Sequence, residues 1–159
     1  MRLDRIALRA ARAVYGTIVA LAVIVVLDDG QTEADEVIVA VLGATIAASL
    51  AETYADYLAA VIRSRRHMSG DELRRAGTDS ALGTLAALLT LAPFLAVEVG
   101  WIETQTAFDL APWIGLALIG AYSLFANRMA GLPVSRAALA TASMLAIGFA
   151  LIAIKSLTH

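Results

Sequence analysis

The sequence predicts an all-α, polytopic membrane protein with five transmembrane helices and a cytoplasmic N-terminus. Three observations carry that expectation: composition, the spacing of apolar segments, and the placement of arginine. Of the 159 residues, 60% are hydrophobic and only 16% are charged, whereas a soluble domain carries about 25% charged residues. The excess is aliphatic, and no polar stretch is long enough to hold a separate soluble domain, so residues 1–159 read as a single transmembrane domain. There are no cysteines, which excludes disulfides and thiolate metal sites.

A helix needs roughly 20 residues to cross the hydrocarbon core, and five segments approach or meet that length. They cover about 8–27, 37–62, 81–99, 111–126 and 137–157. The first follows a basic N-terminus, yet Val25-Val26-Leu27-Asp28-Asp29 offers no small-residue cleavage pattern. It therefore reads as a retained span rather than a signal peptide. The polar connections, 28–36, 63–80, 98–109 and 127–136, contain Gly30, Gly70, Gly77, Gly100, Gly131 and Pro133 as breakers. Short connections imply antiparallel neighbours in a bundle.

Orientation follows from Lys and Arg, which are retained in cytoplasmic loops. Arg2, Arg5, Arg9 and Arg12 precede or open the first span, with Arg9 and Arg12 placed to snorkel. Arg63, Arg65, Arg66, Arg74 and Arg75 lie in the second connection, and Arg128 and Arg136 in the fourth. These regions share one side of a five-span bundle. The opposite side receives Asp28, Asp29, Glu33, Asp35, Glu36, Glu98, Glu103 and Asp109, with Lys155 its one basic residue. The alternation predicts a multi-pass protein of the cell's inner (plasma) membrane, its arginine-rich face against anionic lipid. Nucleic acid is not an expected partner.

The second span is the unusual one. Glu52 and Asp56 interrupt an otherwise apolar run, and their i, i+4 spacing puts both carboxylates on one helix face. Thr45 and Ser49 continue the stripe. An ionised carboxylate at the centre of the bilayer costs on the order of 3 kcal/mol, so the stripe must face other helices, a second subunit or water. The functional reading is a cation or proton site, with Glu52 and Asp56 as hard oxygen ligands and Ser49 and Thr45 as further oxygen donors. The structural reading is an interfacial Asp56 and a Glu52 that snorkels or makes a structural hydrogen bond. Tyr54 and Tyr57 mark the cytoplasmic interface.

In the third span, Pro93 predicts a mid-helix kink through a lost backbone hydrogen bond. Gly43, Ala47, Ala48, Ala51, Gly115 and Gly120 permit close helix approach and self-association. Met68, Met129 and Met144 read as packing or loop residues, and His67 and His159 lack metal-site partners. No nucleophile with a plausible base and no phosphate-binding glycine loop is present, so no enzyme is expected.

Several short motifs resemble the vacuolar iron transporter family, five-helix membrane proteins that move ferrous iron or manganese. Ser49-Leu50-Ala51 before an acidic and aromatic stretch resembles that family's serine-methionine-alanine run ahead of glutamate-tyrosine. Leu88-Leu-Thr-Leu-Ala-Pro93-Phe94 looks like its proline-phenylalanine segment, and Ile119-Gly120-Ala121 and Asn127-Arg128-Met129-Ala130-Gly131 are similar as well. Coverage is about two-thirds of the chain. The chain departs from the pattern at Tyr15-Gly16, where the family has an acid beside glycine, and at Leu50, where it has methionine. An arginine-rich connection replaces the glutamate-rich insert. The resemblance implies a five-helix fold and a homodimer more than iron transport. Together with the Glu52–Asp56 stripe it leads to the expectation of a transporter for a divalent metal cation, iron or manganese, with proton coupling. No bound cofactor is expected. The alternative is a non-transporting membrane scaffold or accessory subunit, which predicts that Glu52 pairs with a neighbouring helix.

Overall fold

The computed structural model describes residues 2–64 and 69–129, and every regular element in them is helical. Helix α1 covers Arg2–Leu27, α2 Ala34–Ser64 and α3 Gly70–Ala87. A 3-10 turn at Leu88–Leu91 leads into α4, Ala92–Glu98, and α5 covers Thr104–Met129. Three helices are long and apolar enough to cross a membrane, over Ala10–Leu27, Ala34–Arg63 and Thr104–Ala126; Leu88–Glu98 is a shorter apolar stretch. The expected fifth span, 137–157, lies outside the described residues, as do Arg65, Arg66, His67, Met68, Arg136, Met144 and His159.

The helix ends have local causes. Asp29 closes the α1–α2 loop: its Oδ1 accepts from the Gln31 N–H (2.9 Å), the Thr32 N–H (3.0 Å) and the Thr32 hydroxyl (3.0 Å), while Gly30 takes φ +77. These three bonds hold the Asp29 carboxyl below its ordinary value near 3.8. Asp35 and Glu36 occupy the first turn of α2 and Arg63 its last, the arrangement favoured by the helix dipole.

Helix α3 begins well before the expected 81. Ser69 and Glu72 form a reciprocal capping box: the Ser69 N–H donates to Glu72 Oε2 (2.8 Å) and the Glu72 N–H to Ser69 Oγ (3.3 Å). Much of the connection expected at 63–80 is therefore helix. The third span is also not one continuous helix. A proline ring clashes with the carbonyl four residues back, here Leu89, and the chain tightens into the 3-10 turn there. Pro93 then enters the first turn of α4, where a missing N–H costs nothing. The kink expected at Pro93 is thus a break and restart. At the far end, α5 begins at Thr104 rather than 111, which places Pro112 inside that helix.

Helix α1 is the hub, packing against α2, α3 and α5, while α4 packs on α5 and α2. The core lies at the end of the bundle that carries the α1–α2 loop. Ile24, Val37, Val41, Leu91 and Phe94 meet Ala107 and Phe108 there. Phe94 and Phe108 cross edge to face with centroids 5.0 Å apart, a favoured aromatic geometry. Outward faces carry large apolar side chains, Val26, Val39, Ile62 and Trp113 among them. Apolar surface on this scale fits a membrane-embedded protein.

Candidate functional site

The stripe on α2 is met by a cation. Arg12 of α1 donates from Nη2 to Asp56 Oδ2, and its Nε lies 3.8 Å from Glu52 Oε2. Arg12 is only 8% exposed, while the Glu52 and Asp56 side chains are 24% and 45% exposed. α1 and α2 run antiparallel through the Asp28–Glu33 loop, which brings the start of one span beside the end of the other. Arg12 was expected to snorkel to the membrane surface. It turns inward instead, because two carboxylates one helical turn apart offer a fixed guanidinium a pair of acceptors inside the bundle.

Thr45 serves its own helix. The Thr45 hydroxyl, 2% exposed, donates to the Val41 carbonyl (2.8 Å) and lies 3.1 Å from that of Leu42. Ser49 is half-buried, and its carbonyl accepts from the Thr53 hydroxyl (2.9 Å). Thr17 on α1 repeats the device, donating to Ala13 O (2.8 Å). This is the economical way to satisfy a threonine where no water is available.

Thr45 and Asp56 stand roughly 16 Å apart along the axis at 1.5 Å per residue. A divalent ion gathers its oxygens within about 2.0–2.6 Å, so Thr45 and Asp56 do not share one ion. Among the described residues, no three Asp, Glu or His side chains are grouped as a metal site. Pro93 is buried at the start of α4, next in sequence to the core residue Phe94.

The small residues of α2 divide. Gly43, Ala47 and Ala51 lie on an exposed face opposite the carboxylates, while Ala48 is half-buried. Gly115 of α5 meets α1 at close range, against Leu21. Tyr54 and Tyr57 stack at 6.5 Å. At the α1 position where the resemblance sought an acid, Tyr15 is exposed and Gly16 buried.

Arg12 is the residue whose place differs from the sequence expectation: it is buried against α2 rather than at the membrane surface. Its one local signal is a basic residue a full turn inside an apolar run, and nothing local points from it to the carboxylates of α2. A scan against protein-family models finds no match, and searches of curated proteins and of solved structures find none either.

Proposed function

We propose that this chain is a multi-span membrane scaffold or accessory subunit, and that its α1–α2 charge cluster joins helices rather than carrying a metal. The observation that supports this reading is the buried Arg12 bonded to Asp56 and close to Glu52. A guanidinium at this place repels a divalent cation about as strongly as either carboxylate attracts it at equal distance. It also supplies what an ionised carboxylate needs inside a bilayer, a partner on a neighbouring helix. Helix α1 thus presents a cation to α2.

The bundle belongs, in this reading, to the inner membrane with its N-terminus cytoplasmic and five spans, the last at 137–157. Arginines at the cytoplasmic ends favour that side and bind anionic lipid. The exposed small-residue face of α2 suits a homodimer.

The experiment is divalent metal flux, manganese and ferrous iron, into proteoliposomes holding the wild-type chain or Glu52→Gln. The reading predicts flux no greater than in protein-free vesicles for both. Wild-type flux that Glu52→Gln abolishes would replace the scaffold with a metal transporter that uses Glu52.

A further inference from the structure

The turn between α4 and α5 holds an indole outward on a rigid backbone. The Gly100 N–H donates to Val97 O (2.8 Å) and the Trp101 N–H to Ala96 O (2.9 Å), with Gly100 at φ +75. This is a complete Schellman cap, in which the residue at the Trp101 position commonly folds back on the preceding turn. Trp101 does not: it is 81% exposed, and Val99 beside it is 62% exposed. The next residue, Ile102, packs against the core. Cap on one side and Ile102 on the other fix the backbone, so the outward indole is a built feature of the turn.

The surrounding charges set its depth. Glu98 and Glu103 flank the turn and are exposed, which calls for water at that level. Leu95 on α4 and Trp113 on α5 are exposed farther from the turn and call for lipid, while the exposed Asp109 between the turn and Trp113 calls for the polar layer. The headgroup layer therefore reaches from the level of Trp101 to that of Asp109, roughly 8 Å at helical rise. An indole combines an apolar body with one N–H donor, and it settles where both are satisfied, in the headgroup layer. The other connection at this end, Asp28–Glu33, has no aromatic residue.

We propose that Trp101, with Val99, is a lipid anchor that seats the α4–α5 turn in the headgroup layer of the bilayer. The stretch Leu88–Glu98 is short, well under the roughly 20 residues whose length alone would set a helix's depth. The anchor supplies that register. The inference rests on the chain being embedded in lipid and not on the scaffold reading.

The chain has two tryptophans, so Trp113→Phe leaves Trp101 alone and Trp101→Phe leaves Trp113 alone. Each variant is reconstituted in vesicles whose lipids are brominated either near the glycerol end or near the methyl end of the acyl chain. Trp113 lies about nine residues into α5, roughly 13 Å deeper at helical rise. The anchor predicts that Trp101 is quenched about twofold more by glycerol-end than by methyl-end bromine, and that Trp113 shows the reverse order. Trp101 quenched by aqueous iodide and by neither bromolipid would overturn the anchor, as would stronger quenching from the methyl end. Trp113 quenched by neither lipid would overturn the embedding itself, and the anchor with it.

Discussion

A Cβ added at Gly115 would stand 2.5 Å from Leu21 Cδ2 and 2.7 Å from Leu21 Cγ. The approach of α5 to α1 is therefore as close as these two residues allow, because a contact at Cγ is not relieved by moving a side-chain tip. Gly115→Ala should destabilise the bundle by about 1–3 kcal/mol, the usual cost of overpacking. Leu21→Ala removes the obstacle and leaves a cavity, so the double variant should be more stable than the sum of the single losses predicts. Unfolding in mixed micelles checks this; simple additivity would place the clash elsewhere.

The Asp29 loop carries a pH dependence with a definite sign. Hydrogen bonds from Gln31 and Thr32 lower its folded-state value below the ordinary 3.8. A depressed carboxylate contributes stability that is present above the unfolded value and lost as pH falls through the folded one. The stability difference between wild type and Asp29→Ala should therefore be constant from neutral pH down to about 5. It should shrink below that, as seen in denaturation series at successive pH values.

Pro93 should be easy to replace. It sits in the first turn of α4, where its absent N–H has no helical partner to lose. Pro93→Ala should change stability by less than about 1 kcal/mol. A loss well above that would mean that the ring's packing, rather than its backbone, matters there.

The absence of native cysteine makes the orientation directly measurable. With the N-terminus inside, a cysteine at Gln31 should react with an impermeant maleimide added to whole cells. A cysteine at Arg74 should react only after permeabilisation. Both positions are exposed, so equal labelling of the two from outside would mean that α2 does not cross.

The helical class and the long apolar α1, α2 and α5 were legible because hydropathy over a span is a summed signal that tolerates local error. Boundaries were less so. The Ser69–Glu72 capping box was readable as a motif, but the arginines around it drew the segment into a loop. Placing the fourth helix at 111 concealed Pro112 inside α5, and a proline read as a kink proved to start a helix. At the site, the i, i+4 pairing of Glu52 and Asp56 was visible from spacing alone. Their partner was not, since which residue of α1 faces them depends on the crossing of two helices through the Asp28–Glu33 loop. Arg12 is 44 positions from Asp56, and no local pattern links them.

The central claim is that Arg12 is the structural partner of both carboxylates, and a double-mutant cycle tests it most directly. Arg12→Met should cost on the order of 3 kcal/mol, since it leaves acidic groups inside the span without that cation. Asp56→Asn and Glu52→Gln should cost less, because both groups retain some exposure. Their coupling to Arg12→Met should be about 0.5–2 kcal/mol, larger for Asp56, which accepts a direct hydrogen bond, than for Glu52. In the triple variant the Arg12→Met loss should be partly recovered. Coupling near zero for both pairs, with each single variant as stable as wild type, would contradict the account.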